Sequence, residues 1–348
     1  MATNGHANGA RKRSLVLDRE AFLEKCKAAR LQRNPQGHFI KAMYSSLVDG
    51  IVTDPELMVL PLDDHAIVRG HAIFDTCTLA DGRVYRLGLH LDRLFKSAKL
   101  ARLKLPFGES EEANRERITE IVCETCVASG LRTACVRFFL SAGPGNFGFT
   151  PAGCQPALFC VVYPNPKDTN EVNVISEATV PVSEVPMKPD LLATVKSNNY
   201  MLNCLLAMAA QDKGGVFGIN VRADGTVAEG CVANCAIVTK DGLFITPPFE
   251  NILCGTTVRK AMELAKEHLI GEGHGKLKDV RQEPLQKSAL FEAAEVMMLC
   301  GDLGVNAVRS LDGKTIGSGE AGPIAKALLA LIVKDAFEGK AEHLELKY

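Results

Sequence analysis

A lysine stands at position 196 in TVKSNNYMLNCLLAMAAQDKGG, residues 194–215, on the threshold of a helix-like run carrying Tyr200, Met201, Leu202, Leu205, Leu206 and Met208. A cation in such company is expected to be nearly buried. Desolvation lowers the pKa of an ammonium group, so a neutral, nucleophilic amine becomes available near neutral pH. The commoner fate of a lysine near a helix start is a solvated or snorkelling side chain. Two further segments argue against that reading here. Glu229 sits at the end of a hairpin in TVAEGCVAN, and CGTTVRKAMELA places Thr256 and Thr257 in the first turn of a helix that begins after Gly255. The free N–H groups and positive dipole end of that turn favour an anion. Taken singly, the glutamate reads as an exposed carboxylate and the threonines as a helix cap. Together, an amine, a carboxylate and an anion cradle are the three requirements of pyridoxal 5'-phosphate. Lys196 would form its Schiff base, Glu229 would keep its ring nitrogen protonated, and Thr256 and Thr257 would hold its phosphate.

Two other stretches imitate a dinucleotide site. GPGNFG at 143–148 and GSGEAG at 317–322 both fit G-x-G-x-x-G, a motif that works only between a strand and a helix at the start of a βαβ unit. The first is followed by FTPAGCQP, which cannot continue as a helix. The second comes too late for a following strand with an acidic ribose ligand, and reads as a loop leading to Pro323 at a helix start. The twelve cysteines are scattered through apolar segments. Cys123 and Cys126 spell C-x-x-C inside the helix-like ITEIVCETCVASG with no second pair spaced for zinc, so reduced core thiols are expected and no metal site.

Around these residues the chain reads as a mixture of helices and strands, a mixed α/β (α+β) fold in two domains. A polar tail and short helix occupy 1–38, a small α/β domain 39–162, a linker through PNPKDTNE 163–171, and a larger domain carrying the three segments 172–348. Asp-Gly turns mark hairpins at 49–50, 81–82, 224–225 and 241–242. The net charge of -1, from 40 basic and 41 acidic residues, leaves no electrostatic footprint for nucleic acid or an anionic membrane. No apolar run approaches the roughly 18 residues that would span a bilayer. An intracellular, cytoplasmic protein is expected, with a plastid location the alternative because MATNGHANGARKRS is basic and free of acids.

The chain resembles the class IV (fold-type IV) pyridoxal-phosphate aminotransferases through an ordered series of segments: RGHAIFDT, HLDRL, LSAGPG, ATVKSNNY, AEGCVAN, CGTTVRK and IGSGEAGPIAKALL, within about residues 40–340. Within that group it is most similar to plant D-amino acid transaminases and branched-chain-aminotransferase-like proteins. The resemblance implies a two-domain fold with the cofactor between domains, a homodimer, and transfer of an amino group between an amino acid and a 2-oxo acid. It also implies a phosphate ligand in Arg93, a partner for the cofactor's phenolic oxygen in Tyr200, an aromatic pocket wall in Phe74, and an arginine near the substrate carboxylate in Arg137. Asn234 would support the loop carrying Glu229. Two departures stand out. Cys300-Gly301-Asp302 replaces hydroxyl residues that would add a phosphate contact, and Cys135 replaces the tyrosine of the branched-chain pattern Y-x-R. D-alanine or D-methionine with 2-oxoglutarate or pyruvate is the favoured chemistry. The alternatives are branched-chain L-amino acid transfer, an aminodeoxychorismate lyase, and a cofactor-free scaffold.

Overall fold

The computed structural model describes residues 16–34, 39–164, 173–175, 185–273, 275–301, 303–339 and 341–348. Two compact units divide the chain, Met1–Phe39 and Ile40–Tyr348. In the first, helix α1 (Arg19–Arg33) starts where the Asp18 carboxylate caps the Ala21 N–H.

In the second unit, β1 (Ala42–Ser45) and β2 (Gly50–Val52) form a hairpin around Asp49. After the short α2 (His65–Val68), the long strand β3 (Ala72–Ala80) turns at Asp81-Gly82 into β4 (Arg83–Tyr85). Helices α3 (Leu87–Leu100) and α4 (Glu111–Ser129) follow, the latter closed by Gly130 in the left-handed region at φ 69°. Then come β5 (Ala134–Ser141) and β6 (Ala157–Tyr163). Beyond the 163–171 stretch lie β7 (Asn173–Ile175), α5 (Asp190–Thr194), α6 (Met201–Gln211), β8 (Ile219–Val221), β9 (Val227–Gly230), β10 (Ala233–Val238) and β11 (Leu243–Thr246). The chain continues through α7 (Thr256–His268), β12 (Asp279–Gln282), α8 (Lys287–Glu292), β13 (Glu295–Cys300), β14 (Val305–Val308), the two-residue strands β15 (Ser310–Leu311) and β16 (Lys314–Thr315), α9 (Pro323–Glu338) and β17 (His343–Glu345).

Two sheets organise these elements. The first has the order β17-β4-β3-β5-β6-β1-β2 and the second β12-β11-β10-β13-β14-β7. The first sheet thus gathers the strands that precede 163–171 and one that comes last of all. Arg86 ties that last strand down through its Nε, 3.0 Å from the Glu342 carboxylate. Alternation sets the faces of the first sheet. Ile73, Cys77, Leu79, Val136, Phe138 and Leu140 point into a core shared with Leu91 and Leu94 of α3 and Ile118 of α4. In the second sheet every residue of β10 and β13 is buried. One face packs on α7 and α9 through Val258, Leu264, Ile324 and Leu328, and the other on Leu206 of α6 and Leu290 of α8. No helix among the described residues is long and apolar enough to cross a membrane.

Candidate active site

Strand β4 pairs only with residues 78–80 of β3, which leaves the 72–74 edge of β3 open. The chain around Lys196 fills it. The Phe74 N–H donates to the Lys196 carbonyl at 2.9 Å, and the Asn198 N–H donates to the Ala72 carbonyl at 3.0 Å. Lys196 is therefore held in an extended stretch between α5 and α6, not on a helix. Its position is fixed from both sides, since its own N–H reaches Ser97 Oγ of α3 at 3.3 Å. The apolar outer face of α6 does not cover it. Met201, Leu205 and Met208 stay exposed, and Lys196 itself is only partly buried. This corrects the expectation drawn from those neighbours: the lysine is desolvated beside the first sheet, where Phe74 and Tyr200 flank its amine.

Its Nζ lies 3.5 Å from Tyr200 Oη and 4.7 Å from the centroid of the Phe74 ring. Burial, aided by the Arg93 charge, lowers its pKa from the ordinary 10.5 to about 8, against an opposing pull from Asp75 and Glu229. Tyr200 is pushed up by burial and by Glu229, so its hydroxyl stays protonated.

One cavity brings together Arg93, Tyr200, Glu229, Thr256 and Thr257, with Lys188 also on its wall. Glu229, on β9, is buried; its Oε1 accepts from Lys188 Nζ at 2.7 Å and its Oε2 from the Leu253 N–H at 3.2 Å. Opposite lies the start of α7, where Gly255 supplies no side-chain cap and Thr256 and Thr257 are buried. The first N–H groups of a helix have no partner within it, so this turn offers donors to the cavity. Gly255 is required there by close approach, since a Cβ would lie 1.9 Å from Asn234 Oδ1. Asn234 in turn donates to the Leu253 carbonyl at 2.9 Å. It therefore supports the loop leading into α7, and reaches Glu229 only through Leu253.

Arg93 is not a free guanidinium. Its Nε and Nη2 grip the Asp75 carboxylate at 2.8 and 2.7 Å, and its Nη1 donates to the Cys254 carbonyl at 3.2 Å. Asp75 is fully buried on β3 and also takes His90 Nδ1 at 2.8 Å. Burial alone would raise that carboxyl, but Arg93 and His90 outweigh it and hold it well below the usual carboxylate range. For His90 the balance falls the other way, and burial lowers it. Asp75 and Lys188 did not emerge from the sequence reading. A carboxylate inside the otherwise apolar AIFDTCTLA was the available signal for the first.

Lys196, Phe74 and Arg137 are not among the residues lining the cavity; they stand together beside it at the first sheet, next to the lining residues Val195, Ser197 and Tyr200. Phe74 meets Tyr200 edge-on at 5.3 Å between centroids. Arg137, paired across the ladder with Thr76, donates from Nε to Thr76 Oγ1 at 2.9 Å and lies 5.2 Å from the Phe74 ring and 5.9 Å from that of Tyr163. Leu299 and Gly301 also reach the cavity, whereas Asp302 lies outside the described residues.

The glycine stretches behave differently from the α7 turn. GPGNFG forms a bend-rich loop whose Phe147 and Gly148 carbonyls accept from Arg69. The helix start after GSGEAG already holds an anion: the Glu295 carboxylate accepts from the Ile324 and Ala325 N–H groups at 3.0 and 2.9 Å. Cys123 and Cys126 both lie in α4, and burial raises both thiols, Cys123 to about 11.

The chain is 41% identical to the D-amino-acid transaminase, chloroplastic, of Arabidopsis thaliana, over 89% of this chain and 80% of that protein. Among solved structures, the branched-chain amino acid aminotransferase of Escherichia coli matches with a TM-score of 0.75 at 25% identity, covering 86% of this chain and 96% of that one. A hypothetical aminotransferase from Mycobacterium tuberculosis in a PLP-bound form matches with a TM-score of 0.69 at 26% identity, covering 86% and 100%. Residues 72–311, which include Asp75, Arg93, Lys196, Glu229 and Thr256, match the family model for amino-transferase class IV, and the chain belongs to that family.

Proposed function

We propose that this class IV aminotransferase exchanges an amino group between a D-amino acid, with D-alanine and D-methionine favoured, and a 2-oxo acid such as 2-oxoglutarate or pyruvate. The residues fit pyridoxal 5'-phosphate. An uncapped helix start and a buried carboxylate line one cavity, and an amine of lowered pKa stands beside it, next to the lining residues Val195, Ser197 and Tyr200. When bound, the cofactor's ring takes up the electron pair left when the substrate Cα loses its proton. The rest is done by the chain. Arg93, Thr256, Thr257 and the first N–H groups of α7 hold the phosphate. Glu229 sets a negative charge against the ring nitrogen, and the protonated Tyr200 donates to the phenolic oxygen. Lys196 would supply the neutral amine that anchors the cofactor and, once the substrate amine has displaced it, would move the proton at Cα as general base and acid.

The observation that carries the D-amino acid reading is the state of Arg137. Its Nε is engaged by Thr76 and its guanidinium stacks near two rings, while Cys135, two residues before it on the strand, brings no hydroxyl. A carboxylate trap on that side of the cofactor is incomplete. The 41% identical relative carries the D-amino-acid name. The branched-chain reading rests on the same arginine being present at all, and on the Escherichia coli likeness. Measured kcat/KM for D-alanine, D-methionine, L-leucine and L-valine, with 2-oxoglutarate and pyruvate as acceptors, separates them. The D-substrates are expected to lead; strong L-leucine transfer with none from any D-amino acid overturns the reading.

The exposed apolar residues of α6 support a homodimer as the working unit. We place the protein inside the cell, in cytoplasm or plastid, and imaging of a C-terminally tagged chain distinguishes the two.

A further inference from the structure

The two carboxylates that act on Lys196 each have a cationic side chain against them. Asp75 is taken by Arg93 and His90. Glu229 is taken by Lys188, whose ammonium sits 2.7 Å away with the two side chains only 10% and 8% exposed. Lys196 is left with the Tyr200 hydroxyl and the face of Phe74. Lys188 stands at the start of α5, far from Glu229 in sequence, and lines the same cavity. We infer that Lys188 is a positioning residue acting through Glu229: it holds and aims that carboxylate before the cofactor arrives, and shares it with the cofactor's ring nitrogen afterwards.

A buried carboxylate with a single neutral N–H partner is strongly disfavoured, and Leu253 alone would leave Glu229 in that state. A carboxylate has about four lone-pair sites, so a ring N–H can join Lys188 and Leu253 without expelling either. Its charge is then divided. Lys188 therefore stabilises the cofactor-free protein and weakens the grip of Glu229 on the ring nitrogen.

This inference rests on the cavity being the pyridoxal-phosphate site, and its test separates the two ideas. Cofactor-free wild type and Lys188→Met are compared by thermal melting and equilibrium dialysis with two probes, pyridoxal 5'-phosphate and its 1-deaza analogue, in which C–H replaces the ring nitrogen. Without ligand the variant should melt several degrees lower. The natural cofactor should recover more of that loss than the analogue, and the ratio of analogue Kd to cofactor Kd should rise about tenfold or more over wild type. An unchanged ratio, with the same melting loss in all three states, makes Lys188 merely structural and overturns the inference. If Lys188→Met does not fold, Lys188→Met combined with Glu229→Gln decides. Removing both charges should restore a folded protein, and a double variant no more stable than the single one contradicts the pairing. Failure of the cofactor reading itself looks different, because wild type would then bind neither probe.

Discussion

Lys196 owes its chemistry to what surrounds it, and pH reads that out. With a pKa lowered to about 8, its neutral fraction grows as pH rises through that value, so the rate at which cofactor-free protein captures pyridoxal phosphate should climb and level off above about pH 8, followed by stopped-flow absorbance. The linkage has a definite sign. Between about 8 and the ordinary 10.5 the unfolded lysine holds a proton that the folded one has shed, so the stability of the cofactor-free protein gains from Lys196 as pH rises across that window. Lys196→Ala should remove both effects. At Glu229, exchange for glutamine removes the charge facing the ring nitrogen, and kcat should fall about a hundredfold or more, as for loss of other single electrostatic groups. An unchanged kcat would take Glu229 out of the mechanism. The Asp75–Arg93 pair is the third case. Asp75→Asn leaves a guanidinium only 11% exposed without its carboxylate, and breaking such a buried pair costs about 3–5 kcal/mol, measurable by urea unfolding. Of these residues Lys196, Glu229 and the threonines were legible because their types and their order match the needs of one cofactor. Lys188 was not, because its meaning depends on a partner across the fold.

At the scale of elements, the start of α7 and the start of α9 show why a glycine-rich pattern is ambiguous. Both helices follow glycines and both offer free N–H groups. In α9 the carboxylate of Glu295 fills the position, and nothing local in GSGEAG announces a residue from β13. At α7 a Cβ at 255 would lie 1.9 Å from Asn234 Oδ1, so any larger residue must displace the side chain that holds the Leu253 carbonyl. Gly255→Ala must push the loop off Asn234. Overpacking of this kind costs about 1–3 kcal/mol, so pyridoxal phosphate affinity should drop about tenfold or more, read by dialysis. Unaltered affinity would mean that the turn does not hold the phosphate. The hairpins, α3, α4, α7 and α9 were readable from turn residues and helical spacing. The three residues of β17 were not, because HLE has no distinctive pattern and pairs with β4 far back in the chain.

For the whole molecule, two sheets and the segments packed on them bring residues from Arg93 to Gly301 around one cavity, groups that are ordinary one by one. Its outer face along α6 leaves Met201, Leu205 and Met208 exposed at 75%, 42% and 57%, more than a lone globule usually keeps in one stripe. Light scattering should give twice the chain mass, and Leu205→Glu with Met208→Glu should shift it toward the monomer; a wild type that stays monomeric at assay concentration rejects the homodimer. The central claim is that Lys196 carries the cofactor, although it is Lys188 that lines the cavity. Borohydride reduction of the cofactor-bound protein followed by peptide mapping tests it directly. The account predicts the pyridoxyl label on Lys196 alone, and a label on Lys188 or any other lysine would contradict it.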